Sequence, residues 1–379
     1  MMTTLAEEGA LEFVAFAEPY VNDLNRASYD KLISIGAKHY EDYQEMLKRH
    51  PEIDFVTICT PIPLHKPMSI YAMEQGFHVL TEKPPAVTIQ DIDAMIETSR
   101  ATGKRCAVFF QMTSEKAFHL LNDKLRAGTI GDVVSVTGVG MWQRTDEYYQ
   151  RTPWAGQLLH KGEYVLDGTI NNPFAHLLNN CLIAAGSGDP GRAAPVRVQA
   201  ELYRGHDIPA EDTSCVRIEA ANGVEIRFYA TLCHERSDTP YIIVRGSAGT
   251  IRWNYDGSLA ITGRDGREEF IEIGKQDLHR AMYTNFIHSI SDGQTEPFSP
   301  IASCRSFVLV ANGAFESSRQ TYPLPAESWK ELPELFRRAA ESGKLFSELG
   351  VPWGVATEPF DLKDYRQFRL YKSPENKNN

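Results

Sequence analysis

Three side chains offer the clearest chemistry in this sequence. Lys83 stands in Glu82-Lys83-Pro84, directly after the short apolar run His78–Leu80. Open α/β sheets bind ligands at the carboxyl ends of their strands. An ammonium held there among apolar neighbours has a lowered pKa and can take the proton of a hydroxyl. The plain alternative is an exposed lysine in a strand-end turn. His176 follows the turn Asn171-Asn172-Pro173 and lies in FAHLLNNCLIAAG. A spacing of four puts Asn172 and His176 on one side of a helix start. A histidine there can bond a substrate hydroxyl or relay a proton, or it can be a satisfied core or interface residue. Asp167, five residues before Asn172, can join them if the intervening turn folds back.

The stretch 142–164, WQRTDEYYQRTPWAGQLLHKGEY, precedes His176 and is rich in aromatics and arginine. Aromatic faces pack on sugar C–H faces, and arginine binds hydroxyls or a carboxylate. Arg144 and Trp154 are its candidate substrate contacts. The same composition also suits an oligomer contact. No metal pattern stands out: His160, His176 and His279 are not at ligand spacing with cysteines or acids. GSGDPG at 186–191 follows a helix and reads as a helix stop, with no phosphate role.

These residues need a scaffold. The 379 residues allow two domains. A hydrophobic content of 42% and a charged content of 23% are ordinary for a soluble globular chain. A net charge of −11 argues against nucleic acid or anionic membrane as partner. No apolar run approaches a membrane span, and the N-terminus has no signal-like core, so a cytoplasmic protein is expected. The six cysteines form no CxxC pair and read as free thiols, with Cys59 and Cys106 as small buried hydrophobes.

Short apolar strands at 11–17, 37–40, 55–59, 78–80 and 106–110 alternate with helices at 23–34, 41–49, 64–75 and 88–102. This alternation predicts right-handed crossovers and a parallel sheet. After residue 113 a helix at 114–127 leads into strands at 133–139, 196–202, 214–220, 224–231, 241–246 and 250–255. Asn222-Gly223 between two of them signals a hairpin. A largely antiparallel sheet is expected, with one polar face and helices at 174–185, 278–291 and 301–319 on the other. Residues 324–379 read as a surface wrap whose end, SPENKNN, is disordered. The fold class is thus α/β plus α+β: a Rossmann-like parallel sheet over 1–112, an α+β substrate-binding and oligomerisation domain over 113–323, and an extension over 324–379.

Glu18 ends the first of these strands. In dinucleotide folds an acid there holds the adenosine ribose hydroxyls and repels a 2′-phosphate, favouring NAD over NADP. It can instead be a capping or surface carboxylate.

In their order, several pieces resemble the glucose–fructose oxidoreductase and inositol dehydrogenase family, known as Gfo/Idh/MocA. They are Glu18-Pro19, Thr60-Pro61 with His65, Glu82-Lys83-Pro84, LRAGTIGDVVSVTG at 125–138, His176 on its helix, and RGSAGTIRW at 245–253. The resemblance spans about residues 11–320 and implies NAD as cofactor. It also implies that Lys83 lies beside substrate and nicotinamide, and that Thr60, Pro61, His65 and Glu82 line the cofactor. The family pattern Asp-x-x-x-His followed by a further Asp is here Asn172, His176 and Asn179. An amide cannot take a proton as a carboxylate can, so a His–Asp relay is not supplied by these positions, and Asp167 is the candidate replacement. Where the family commonly has Asn after Thr-Pro, this chain has Ile62-Pro63.

A dinucleotide fold opens with a strand, a GxGxxG turn and a helix. Only about ten residues precede the Leu11 run, and they read as the tail of that helix. In the order 3-2-1-4-5-6 the lost strand is central. The expectation is therefore a truncated chain, with a parent about 25–30 residues longer. The main reading is an NAD-dependent oxidoreductase acting on a secondary hydroxyl of a sugar, cyclitol or related polyol, as a homo-oligomer. The alternatives are an NAD-dependent glycosidase of the same fold and a non-catalytic sugar-binding or scaffold protein.

Overall fold

A computed structural model describes residues 2–370; the terminal SPENKNN lies outside them. The parallel strands fall in two small sheets. Ala15–Ala17 pairs with Lys38–Tyr40, and Phe55–Ile58, His78–Thr81 and Cys106–Val108 form the second. The apolar run expected as a strand over 11–17 pairs only through its last three residues. Each crossover carries a helix, and the sequence chemistry marks their ends. Asp42 and Thr88 accept backbone N–H bonds at the starts of Tyr43–Arg49 and Ile89–Thr102. Gly103 closes the latter helix in the left-handed region, at φ 67°. Ile89, Ile92, Met95 and Ile96 form its buried stripe.

The large sheet has ten strands. Its main path runs 268–272, 258–263, 249–254, 241–246, 133–141, 225–231, 213–220, 195–204 and 322–323. All pairings in it are antiparallel except 133–141 with 225–231 and 322–323 with 195–204. Helices Ala175–Ala185 and Arg305–Ser318 cover one face, as expected. Gly138 and Gly140 on the central strand let the first of these helices approach. A Cβ at Gly140 would stand 2.3 Å from the Phe174 ring, and one at Gly138 2.5 Å from Cys181 Sγ.

Four expectations are corrected. The helix Leu278–Asp292 does not cover the large sheet; its Met282, Tyr283 and Phe286 pack on Leu80, Ala107 and Phe109 of the parallel layer. The other sheet face is neither polar nor open: Val139, Tyr203, Cys215 and Tyr229 form a second core with Leu332, Leu335, Phe336 and Ala339. The segment after 324 therefore supplies a helix, Leu332–Ser342, whose apolar residues recur at helical spacing. That helix covers the face on which the homo-oligomer expectation rested. Finally, Cys59 is exposed because the strand ends at Ile58, one residue earlier than expected; the other five cysteines are buried. No described helix is long and apolar enough to cross a membrane.

Candidate active site

The strands Phe55–Ile58 and His78–Thr81 deliver Thr60-Pro61 and Glu82-Lys83 to the same sheet edge. His65 ties the two strand ends together. Its Nδ1 lies 2.8 Å from the Pro84 carbonyl and its Nε2 2.8 Å from the Thr60 carbonyl. Burial lowers the ring's pKa, while the two carbonyls pull the other way. Pro61 precedes the short turn Ile62–Leu64, and the Thr60 hydroxyl is buried without a partner.

The Lys83 ammonium donates 2.6 Å to Asn172 Oδ1 and 3.0 Å to the Asn172 carbonyl. Asn172 Nδ2 in turn donates 2.7 Å to Asp167 Oδ1. The other Asp167 oxygen accepts from Gly156 N at 2.8 Å and from the Arg151 guanidinium at 3.2 Å. The amide orientation follows from its neighbours: an ammonium needs an acceptor and a carboxylate needs a donor. Burial lowers the pKa of Lys83, opposed by Glu82 and Asp167 and assisted by Arg151. Burial also raises the Glu82 carboxyl, whose Oε2 accepts from Lys83 N at 3.2 Å.

The loop that carries Asp167 and Asn172 rests on Glu211. Ile170 N and the Thr169 hydroxyl donate to Glu211 Oε1 at 3.2 and 3.4 Å, and Thr169 N donates to the Glu211 carbonyl. Its carboxyl lies flat on Gly168, where a Cβ would stand 2.2 Å away. Burial raises the Glu211 pKa to about 8. Its second oxygen has no partner.

His176 sits in the first turn of Ala175–Ala185, edge-on to Phe110 at 5.5 Å, with Nδ1 buried and unpartnered. Burial, then Lys83, then His279 push its pKa down to about 3. A neutral ring can accept or donate one hydrogen bond but does not hold a charge.

Arg144 and Trp154 sit further along the wall. The Arg144 guanidinium stacks over Trp142 and Tyr148, and Arg151 stacks over Tyr148 and Trp154. Guanidinium groups therefore occupy aromatic faces that the sequence offered to a sugar. Glu18 lies apart, at the end of Ala15–Ala17, where Oε1 accepts from Tyr20 N at 2.8 Å. The structure thus joins Lys83, Asn172 and Asp167 directly, with Glu82 and His176 beside them. Arg151 and Glu211 were missed. Arg151 lay unmarked within the arginine-rich stretch, and nothing local distinguished Glu211. A cavity of about 410 Å³ opens at the opposite, amino ends of the strands, lined by Leu11, Val14, Lys38 and His50.

Residues 5–110 match the family model described as "Oxidoreductase family, NAD-binding Rossmann fold". An uncharacterized oxidoreductase of Rhizobium meliloti is 35% identical over 136 residues, 36% of this chain and 39% of that protein. An alpha-N-acetylgalactosaminidase of Bacteroides fragilis is 27% identical over 135 residues, 35% of this chain and 31% of that protein. The matches thus span well under half of these relatives. The fold match is longer. The WlbA dehydrogenase of Chromobacterium violaceum, solved with NADH and UDP-GlcNAcA, superposes with TM-score 0.68 at 22% identity, over 84% of this chain and 90% of that one. A levoglucosan dehydrogenase, solved with NADH and levoglucosan, gives 0.70 at 19% identity, over 84% and 92%. Residues 5–110 thus match the Gfo/Idh/MocA oxidoreductase family, and over most of its length the chain shares the fold of these dehydrogenases.

Proposed function

We propose that the chain is an NAD-dependent oxidoreductase that interconverts a secondary alcohol of a sugar, cyclitol or related polyol with its ketone. The observation that carries this reading is the Lys83–Asn172–Asp167 chain of hydrogen bonds at the carboxyl edge of the parallel strands. The residues present fit two parts of the dinucleotide. Glu18 suits the adenosine ribose, and the unpartnered Thr60 hydroxyl suits a polar group beside Lys83. The described residues offer no glycine-rich turn for the pyrophosphate. When bound, NAD supplies the hydride acceptor.

The chain's own groups manage the proton. Asn172 takes two N–H bonds of Lys83 through two neutral oxygens. A neutral Lys83 amine keeps both and leaves its lone pair free for a substrate hydroxyl proton. Asp167, one amide removed, orients Asn172 and favours the ammonium once formed. His176 stays neutral and hydrogen-bonds the substrate. The relatives that bear the name alpha-N-acetylgalactosaminidase favour a second reading, in which oxidation and re-reduction of a sugar permit elimination of its substituent. Product analysis separates the two: release of a free sugar without net NADH marks the glycosidase.

The test is calorimetry with NADH, followed by NAD⁺ reduction over a panel of sugars and cyclitols. Native protein and Lys83→Met are expected to bind NADH alike, with turnover far lower in the variant. Absence of NADH binding by the native chain overturns the reading.

A further inference from the structure

Among the described residues, one group of three metal-ligating side chains converges outside the site described above. His206 Nδ1, Asp212 Oδ2 and Cys233 Sγ all lie within 4.8 Å of one another, and all three residues are buried or nearly so. They come from the loop after strand 195–204, the start of strand 213–220 and the end of strand 225–231. We propose that His206, Asp212 and Cys233 bind a divalent transition-metal ion of the zinc class.

The donor set is mixed nitrogen, oxygen and sulfur, which suits zinc and excludes magnesium and calcium. A tetrahedral zinc site separates its nitrogen and sulfur ligands by about 3.6 Å. Cys233 Sγ and His206 Nδ1 are 3.7 Å apart. The nitrogen and oxygen ligands of such a site stand about 3.4 Å apart. His206 Nδ1 and Asp212 Oδ2 are 2.8 Å apart, a distance set by a shared proton. Replacing that proton with the ion requires the pair to open by about 0.6 Å.

The Cys233 thiol also hydrogen-bonds the Asp212 carboxylate, so all three donors face one another. The surroundings also match a metal site, where outer groups orient each ligand. Asp212 accepts from Gly205 N and His206 N at 2.8–2.9 Å. The Thr213 and Thr231 hydroxyls face the Cys233 sulfur, and the Arg144 carbonyl faces the His206 ring. The Tyr149 hydroxyl beside this group is buried without a partner. Its ring and that of Trp329 flank the imidazole at 4.9 and 5.0 Å.

Binding releases the Cys233 thiol proton and the His206 Nδ1 proton; the remaining ring proton stays on Nε2. The ion would fix His206, which meets the Arg144 carbonyl and the Tyr149 ring, so its role is to order that wall. It takes no part in the proposed redox step.

The test uses the full chain, stripped with a chelator and titrated with Co²⁺. One equivalent is expected to produce a near-ultraviolet thiolate-to-cobalt band that Zn²⁺ abolishes by displacement. Cys233→Ser, checked for native circular dichroism, is expected to lose the band. Cys59→Ser, at the exposed cysteine, is expected to keep it. Asp212→Asn is expected to weaken cobalt binding tenfold or more. Should Cys233→Ser fail to fold, the native chain alone decides, through the band and a zinc-dependent rise in melting temperature. No band in the native chain at 100-fold excess cobalt overturns the proposal, as does a band that follows Cys59.

Discussion

The sheet edge around Lys83 and the loop layer above it contribute in opposite ways. The edge supplies the proposed reactive group from a contiguous motif, Glu82-Lys83-Pro84, at the end of one strand. The loop layer supplies almost no local motif. Asp167, Asn172, Arg151 and Glu211 come from three separate segments and meet only through hydrogen bonds. In the proposed reaction the edge supplies the reacting atom and the layer its aim, while burial lowers its pKa. Placement differs as well. Lys83 is held through two oxygens of one residue, whereas Asn172 depends on a carboxylate that itself needs Gly156 N, Arg151 and a loop seated on Glu211. A reactive group can thus be specified in three residues, while its orientation takes a network spanning more than sixty.

Removing the edge's contribution should have the largest effect. Lys83→Met should lower turnover about 10²–10⁴-fold with NADH affinity unchanged in calorimetry. Equal loss of both would assign Lys83 to cofactor binding and erase the contrast.

The layer's foundation comes next. Native Glu211 holds its proton up to about pH 8, whereas the unfolded chain releases it near the ordinary value of 4.5. Between those values the native state binds more protons. Its contribution to stability is complete below 4.5 and is lost as pH rises through about 8. Glu211→Gln should remove up to about 1.4 kcal/mol per pH unit of that slope, read from urea unfolding at pH 5 to 8. An unchanged slope would mean that the carboxyl is ionised and solvated in the native state.

Moving charge within the layer should have a smaller effect. Asn172→Asp places a second carboxylate opposite Asp167, across a contact of 2.7 Å in the native chain. The pair would share a proton, and any net added negative charge beside Lys83 would raise the pKa of the amine. The optimum for alcohol oxidation should move about one unit alkaline, with roughly tenfold less turnover at neutral pH. Asn172→Asp combined with Asp167→Asn should recover part of the loss. A double variant no better than the single one would show that only the amide can orient Lys83.

The smallest effect concerns His176. A ring with a pKa of about 3 is neutral throughout pH 5–8. His176→Gln should lower turnover a few-fold without moving either limb of the pH–rate profile in that range. Loss of an acid limb would show that His176 titrates during turnover.

The replacement of the family's aspartate by Asn172 shows what could be foreseen. The sequence pointed to Asp167 as the substitute carboxylate but could not show whether its turn folds back. It does, because Asn172 N bonds the Gly168 carbonyl and Phe174 N bonds the Thr169 carbonyl, closing the loop on itself. The burial of Glu211 was not foreseeable, since its contacts lie about forty residues away. The aromatic stretch was recognised, but its faces are taken by Arg144 and Arg151.

The sequence by itself determined the alternating order of strands and helices, the sheet edge that receives Lys83, and most helix ends. These follow from apolar periodicity, caps and glycine stops, which act over a few residues. Only the tertiary structure decided that Leu332–Ser342 covers the second sheet face and that Leu278–Asp292 packs on the parallel layer. It alone brought Asp167 to Asn172 and gathered His206, Asp212 and Cys233. The reason is that burial and hydrogen-bond partners come from contacts distant along the chain, which local periodicity does not encode.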